Sequence, residues 1–371
     1  MHEPLRAREG FEPEDYKKIG AREDVIAEWE DGFRTKGDKD AFEWWYFDSR
    51  LDDGSSMVIM YYTKEILKPS GPLEPYVTFE LTHPDGTQTI TSCAVPVEKF
   101  SSSQKTCDVQ IGPCYIKGNL KEYTLHFEKD NVVADVKLTG KVESYRHGNG
   151  YVYVGDNDEH YFAWLAAVPD GIVSAEISID GVKKSYTGTG YHDHNWGDAN
   201  MATFIHHWYW GRAKVGKYNV ISVNFLTNQM YGFTRLPAFL IAENGKIVVG
   251  GEEALEHLTF TPEDIQMDND TNKPVANTLI YEFNDGKKHY KVTYKRKGDI
   301  LKAKMIDGLK GKMKMQALLI GFEGSYQRFI GEVTVDKYCN GEIVDSETEH
   351  AGVWELMYFG KPKDLPSNFK G

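Results

Sequence analysis

The stretch ISIDGVKKSYTGTGYHDHNWG, residues 177–197, joins a short apolar run to a longer polar and aromatic run through the dipeptide Asp180-Gly181. Such a dipeptide supplies the positive φ angles of a tight hairpin turn, so it predicts two neighbouring antiparallel strands. The runs along the chain are rich in β-branched and aromatic residues, which favours strand. The sequence therefore predicts an all-β meander, with further hairpin turns at Asp53-Gly54, Asp85-Gly86, Asn244-Gly245, Asp285-Gly286 and Asn340-Gly341.

Helix signals are few. The clearest are in residues 21–33 and in a turn that starts at Thr261, with Pro262 at the first helical position. A chain of 371 residues exceeds one typical domain, and strand patterns restart after residue 200. We therefore expect an N-terminal β domain over 1–200 and a C-terminal β domain over 201–371, each a sandwich or a barrel.

Composition limits the partners. The net charge of -13 and the aromatic fraction of 13% argue against nucleic acid and anionic membranes, and favour neutral or apolar ligands. No apolar leader and no long apolar run are visible, so we expect a cytoplasmic chain without an integral membrane segment. The cysteines lack Cys-x-x-Cys spacing, which argues against a disulfide framework or a zinc knuckle. Walker, Gly-x-Ser-x-Gly and His-Glu-x-x-His motifs are also missing, so nucleotide cofactors are not expected.

The glycine-flanked segment GTGYHDHNWG, residues 188–197, places several chemically active side chains on one strand. Side chains alternate between the two faces of an extended strand. One face is therefore expected to carry Tyr191, Asp193 and Asn195, and the other His192, His194 and Trp196.

The two histidines of this segment have a spacing that suits metal ligands, with His206 and His207 as candidate further ligands. No separate Glu or Cys partner is marked out by spacing. We therefore expect no metal, and interpret the histidines as hydrogen-bonded structural residues.

The opposite face carries Asp193 between Tyr191 and Asn195. In a chain this aromatic, the carboxyl group is expected to be desolvated, which would raise its pKa and suit it to general acid catalysis. The alternative is an aspartate that closes a turn by accepting backbone N–H bonds. Sequence alone leaves both interpretations open.

Two further segments are rich in aromatic residues. In FEWWYFD, residues 42–48, Glu43 shares one predicted face with Trp45 and Phe47, which makes it a second candidate acid because desolvation disfavours its charged form. In HHWYWGRA, residues 206–213, Trp208 and Trp210 share a face, and their rings suit a polyene or a developing carbocation. Core packing is the alternative role for these aromatic residues.

The motifs FEWWYFD, GTGYHDHNWG and WYWGRA, in this order, make residues 40–360 resemble the carotenoid 1,2-hydratase family, which also includes kievitone hydratase and the lipocalin-like Diels-Alderases of decalin biosynthesis. The resemblance implies two lipocalin-like antiparallel β domains, the first sandwich-like and the second a barrel. It also implies an apolar cavity between or within them, a hydrophobic small-molecule substrate and no cofactor.

The resemblance does not separate hydratases from cyclases, and our first interpretation is a hydratase that protonates an isolated isoprenoid double bond. Its acid maps to the Tyr-x-Asp part of the middle motif, with His192 or His194 orienting the acid or a water. The alternatives are a pericyclase that folds a polyene into a reactive conformer, and a carrier that only binds its ligand. The candidate catalytic residues are Asp193, Tyr191, His194 and Glu43, and the candidate substrate-binding residues are Trp45, Asn195, Trp196, Trp208 and Trp210.

Overall fold

A computed structural model describes residues 3–66, 69–309, 314–315, 319 and 322–365. Over these ranges the chain forms two antiparallel sheets, of thirteen and nine strands, and one of them is curled into a half-barrel. This confirms the predicted all-β fold class. The helices in the described ranges are short: α1 (Pro13–Ile19), α2 (Glu252–His257) and α3 (Met305–Gly308). None of these described helices has the length and apolar character needed to cross a membrane.

The thirteen-stranded sheet has the hydrogen-bonded order β5-β4-β3-β2-β13-β12-β10-β9-β8-β7-β6, with β1 and β11 off this path. Strand β13 therefore lies near the middle of the sheet, paired on both edges. The strands are β1 (Ala7–Glu9), β2 (Phe42–Leu51), β3 (Ser56–Tyr62), β4 (Tyr76–Thr82), β5 (Gln88–Ala94), β6 (Phe100–Ser102), β7 (Cys107–Ile111), β8 (Cys114–Gly118), β9 (Glu122–Lys129), β10 (Val132–Gly140), β11 (Tyr151–Val154), β12 (His160–Ile179) and β13 (Val182–Gly197).

The nine-stranded sheet has the order β17-β16-β15-β14-β22-β21-β20-β19-β18. Its strands are β14 (Ile205–Val215), β15 (Tyr218–Thr227), β16 (Arg235–Glu243), β17 (Lys246–Val249), β18 (Leu258–Met267), β19 (Pro274–Asn284), β20 (His289–Lys304), β21 (Ser325–Cys339) and β22 (Glu342–Tyr358).

The chain divides into two compact units. One comprises Glu9–Tyr153 and Glu159–Met201, and the other comprises Ala202–Gly371 with Met1–Arg8 and Val154–Asp158. Each unit has its own apolar core, because inward side chains of paired strands alternate with outward ones. The first core includes Trp45, Phe47, Phe79 and Phe127, and the second includes Phe239, Tyr281, Phe283 and Trp354.

The predicted hairpin turns are confirmed. The Asp-Gly and Asn-Gly dipeptides connect β2 to β3, β4 to β5, β12 to β13, β16 to β17, β19 to β20 and β21 to β22. At Asp180, Asn244 and Asn340, φ is positive as well as at the following glycine, as a tight hairpin turn requires. Local turn chemistry therefore determines much of the meander.

The helix expected over residues 21–33 is wrong, since only Glu28–Asp31 forms one 3-10 turn there. Glu30 is ion-paired with Arg146, and Asp31 is bonded to His192, so tertiary contacts hold this segment in another conformation. The helix that does form, α1, begins at Pro13 and is followed by Gly20 in the left-handed region.

The helical turn expected at Thr261 is also wrong. Strand β18 runs straight through Thr261 and Pro262. It is an edge strand of the nine-stranded sheet, where a proline can be accommodated because one side of the strand has no partner to receive an N–H bond.

Glycine at position 188 allows β13 to approach β2. Gly188 lies opposite Leu51, and a Cβ atom there would be 2.1 Å from the Arg50 carbonyl oxygen. Any larger residue would therefore force the two strands apart.

We expect Gly188→Ala to lower the free energy of unfolding by roughly 2 kcal/mol or more, because the clash is with backbone that cannot rotate away. Urea unfolding monitored by tryptophan fluorescence measures the change. Gly140→Ala is the matched control, since its nearest neighbour would be an ordinary 3.4 Å away. Equal midpoints for the two variants would contradict this account of β13.

Candidate active site on strand β13

The register between β2 and β13 determines which side chains meet. Asp193 lies opposite Tyr46, His194 opposite Trp45 and Trp196 opposite Glu43. Residues directly opposite each other in an antiparallel pair share a face. The aspartate face carries Tyr191, Asp193, Asn195, Tyr46 and Asp48, and the histidine face carries His192, His194, Trp196, Glu43 and Trp45.

Asp193 is the centre of the aspartate face and is only 5% exposed. Its Oδ2 accepts hydrogen bonds from Trp164 Nε1 at 2.9 Å and from the Tyr191 hydroxyl at 2.8 Å. Its Oδ1 accepts one from Asn195 Nδ2 at 2.7 Å. Burial raises the pKa of Asp193 to about 6, although these donors and nearby His192 favour the carboxylate.

The opposing effects on Asp193 have a chemical consequence. The pKa of about 6 means that both the acid and the carboxylate are populated near neutral pH. A group in this range can deliver a proton and be recharged without a large free-energy cost, which is the property of an effective general acid. The raised pKa expected from the sequence is therefore present in the structure.

The histidine face contains a buried charge pair. His192 Nδ1 is 2.8 Å from the Tyr46 carbonyl oxygen, and Nε2 is 3.2 Å from Asp31 Oδ2, which also accepts the Tyr123 hydroxyl. Burial alone would lower the pKa of His192, but the Asp31 carboxylate reverses this and the net pKa is raised. Burial alone would raise the pKa of Asp31, but His192 lowers it overall. The pair is therefore an imidazolium and a carboxylate.

Glu43 and His194 also belong to this histidine face. His194 Nε2 is 2.7 Å from Glu43 Oε1, and the same oxygen accepts a hydrogen bond from the backbone N–H of Arg34. The other oxygen, Oε2, accepts hydrogen bonds from the backbone N–H and the hydroxyl of Thr35. Both carboxylate oxygens of Glu43 are thus occupied by donors that hold the loop before β2. These positions do not support Glu43 as the acid or His194 as the residue that orients Asp193, because both lie across the sheet from Asp193.

Three groups on this side are close enough to surround a cation. Atoms of Asp31, Cys107 and His192 lie within 4.8 Å of one another. Both nitrogens of His192 are already engaged with oxygen acceptors, which leaves no lone pair for a metal. Burial and the charge of Asp31 hold the pKa of the Cys107 thiol well above its usual range, so the thiolate that zinc requires is disfavoured.

The histidines of β14 do not extend this group. His206 Nδ1 is 2.8 Å from His207 Nδ1, and His206 Nε2 is 3.2 Å from the Lys361 carbonyl oxygen. Burial lowers the pKa of both imidazoles. Both rings are therefore neutral and hydrogen-bonded, as the structural interpretation expects.

The candidate substrate-binding tryptophans lie in different places. Trp45 is fully buried, stacks on His194 at 4.6 Å and donates from Nε1 to the Asp31 carbonyl, so its position supports core packing rather than ligand contact. Trp196 donates to the Tyr151 hydroxyl. Trp208 and Trp210 lie on β14, in the other compact unit, where Trp208 donates to Glu355.

A small cavity of about 10 Å³, room for about one water molecule, adjoins the end of β13. Its lining combines aromatic and charged residues, so it is not purely apolar. Trp164 is part of both this lining and the group around Asp193. The lining also includes Trp29, Tyr151, Trp196, Glu30, Arg34 and Arg146.

Sequence reasoning missed Trp164, Asp31 and Asp48. Trp164 comes from β12 and reads as one more apolar residue of a buried strand. Asp31 lies 161 residues from His192 and gives no local signal. Asp48 lies two positions after Tyr46, and strand alternation alone could have placed both on one face of β2.

The Diels-Alderase-like family profile matches residues 35–267. The quinolone epoxide rearrangement protein PenF of Penicillium thymicola is 37% identical over 82 residues, 22% of this chain and 22% of PenF. The related protein AsqO of Emericella nidulans is 27% identical over 195 residues, 48% of this chain and 53% of AsqO. The matched region thus spans about half, or less, of these curated relatives.

Kievitone hydratase from Nectria haematococca has the same fold, with a TM-score of 0.54 at 14% identity over 96% of this chain and 98% of that chain. At this identity the likeness concerns the fold alone. Together with the family profile, it confirms the resemblance inferred from the three motifs.

We expect purified protein to carry no stoichiometric zinc, because His192 donates in both directions and Cys107 remains a thiol. Elemental analysis after purification without an immobilised metal measures this directly. The melting temperature should be the same with and without a chelator. One zinc per chain, lost in Cys107→Ser and retained in Cys93→Ser, would contradict this interpretation.

The Asp31–His192 pair predicts a pH-dependent stability. The pKa of His192 is raised above its ordinary value of 6.5, so its stabilising contribution is complete below that value and is lost as the pH rises through the folded-state pKa. The difference in unfolding free energy between wild type and His192→Gln should therefore be larger at pH 6 than at pH 9, as measured by urea unfolding. His126→Gln, which removes a partly exposed partner of Asp135, is the control. A difference that grows with pH would contradict the ion pair.

Proposed function

Because the chain belongs to the Diels-Alderase-like family, we propose that it is an enzyme that activates a hydrophobic small molecule with Asp193 as general acid. The first candidate reaction is hydration of an isolated carbon–carbon double bond, without a cofactor. The observation that carries the proposal is a carboxyl group with a pKa of about 6, enclosed by the side chains of Trp164, Tyr191 and Asn195.

Protonation of an alkene needs an acid held away from bulk water and a surrounding that tolerates positive charge. Asp193 supplies the proton and becomes a carboxylate, which then lies close to the developing carbocation. Tyr46 and Tyr191 have their rings 6.2 Å apart on the same face, and aromatic rings stabilise a cation through their quadrupole. Addition of water to the cation completes the hydration.

A second candidate is acid-assisted rearrangement of an epoxide. PenF and AsqO carry that activity in their names, and the same carboxyl group could protonate an epoxide oxygen. In this reaction no oxygen enters from solvent, and the product is an isomer of the substrate. A pericyclic reaction, which the family description suggests, would also give an isomer but would depend on the shape of the site more than on the acid.

We expect Asp193→Asn to lower kcat at least 100-fold, on the order expected for loss of a general acid, while ligand affinity changes only a few-fold. Wild type should lose activity as the pH rises above about 6, since the acid form is depleted there. The assay follows a prenylated phenol and an aryl epoxide in ¹⁸O-labelled water by mass spectrometry. Label in the product indicates hydration, and an unlabelled isomer indicates rearrangement or cyclisation.

The control is Asp52→Asn. Asp52 lies in the turn after β2, and its carboxylate accepts a hydrogen bond from the Thr187 hydroxyl. Its kcat should equal that of wild type. Glu43→Gln is a useful comparison. It should lower the free energy of unfolding, because it weakens the hydrogen bonds of the histidine face, while the kcat of the folded protein should stay close to that of wild type. An Asp193→Asn protein that retains most of its kcat would exclude acid catalysis and favour the pericyclase or the carrier.

A further inference from the structure

The aspartate face contains the same short pattern twice. Tyr46-Phe47-Asp48 lies on β2 and Tyr191-His192-Asp193 lies on β13. In each copy the tyrosine hydroxyl donates to the Oδ2 atom of the aspartate two residues later, at 2.9 Å on β2 and at 2.8 Å on β13. The strand pair thus presents two Tyr-x-Asp units side by side.

The two units run in opposite directions. Tyr46 lies opposite Asp193, and Tyr191 lies opposite Asp48. The two aspartates are therefore diagonal neighbours on one face, a relation that separates residues by roughly 7 Å across a strand pair. Both carboxyl groups therefore lie on the same face of the strand pair, and each accepts a hydrogen bond from a tyrosine hydroxyl.

The two carboxyl groups differ in their surroundings. Asp193 is buried and receives three side-chain donors, whereas Asp48 is only half-buried. Such a difference separates roles in sites that use two carboxyl groups, since the buried group keeps its proton and the more open one can accept a proton from water. The more open group is also the one that water can reach.

We propose that Asp48 is the general base of the hydration reaction and takes the proton from the water that attacks the cation. This inference rests on the proposed function. Asp193 gives its proton to one alkene carbon, and the neighbouring carbon becomes cationic. Water forms a C–O bond to that carbon and loses a proton to the Asp48 carboxylate. Asp48 then releases its proton to solvent and Asp193 takes one up, so the net change is alkene plus water to alcohol.

The test uses the full chain with a prenylated phenol in ¹⁸O-labelled water, and compares Asp48→Ala with and without sodium azide. Loss of the base should lower kcat at least 100-fold. Azide needs no base, because the anion attacks the cation directly. It should therefore restore turnover and yield the organic azide in place of the labelled alcohol, a result that a merely structural role would not give.

Asp193→Asn should give neither alcohol nor azide adduct, because no cation forms without the acid. Asp52→Asn should behave as wild type in both conditions. An Asp48→Ala protein that keeps more than a tenth of wild-type kcat, or that is folded and inactive without forming the azide adduct, overturns this proposal while leaving Asp193 as the acid. Wild type that gives no labelled alcohol overturns the hydration reaction and this role with it.

Discussion

The pairing of β2 with β13 is the constraint on which the site depends. Ten residues of β2 lie opposite ten residues of β13, from Phe42 opposite Gly197 to Leu51 opposite Gly188. A slip of one residue would exchange the faces, and would move Asp193 into the layer that now holds Asp31 and Glu43. Glycines at 188 and 190 hold this register, because a Cβ atom at either position would meet the backbone of β2.

One strand thereby separates two kinds of buried polar chemistry. On the histidine face, the buried pair of His192 and Asp31 lies beside His194 and Glu43, and each charge of the His192–Asp31 pair is tolerable only because its partner is present. On the aspartate face, the carboxyl group has hydrogen-bond donors but no directly bonded cation, so burial prevails and its pKa rises. The same backbone thus supports a buried charge pair on one side and a carboxyl group with a raised pKa on the other.

Much of this could be predicted from short-range rules. Turn chemistry at Asp180-Gly181 and its counterparts gave the hairpins, and strand alternation gave the two faces of β13. Long-range partners could not be predicted, because Asp31 and Cys107 have no sequence relation to His192. The partners of Glu43 could not be predicted for the same reason, since they are Arg34, Thr35 and His194.

Trp164 shows a second limit. Counting back from the turn, where Ile179 lies opposite Val182, would place Trp164 opposite Gly197, but two register shifts in the β12–β13 pair bring it opposite Asn195. Such irregularities arise from local packing and leave no reliable mark in the sequence. The helix expected over residues 21–33 failed in a related way, because buried ion pairs at Glu30 and Asp31 outweighed its helical tendency.

The separation of β2 and β13 along the chain has a consequence for synthesis. Glu43 on β2 and His194 on β13 are 151 residues apart. During translation β2 therefore leaves the ribosome long before its partner strand β13 has been synthesised. Until then the run FEWWYF has one free edge rich in aromatic residues, which is a surface prone to intermolecular strand pairing. The high contact order of this pair also slows closure of the sheet, because a long loop must be ordered first. Production of the folded protein is therefore expected to depend on chaperones that cover β2 until β13 has been synthesised.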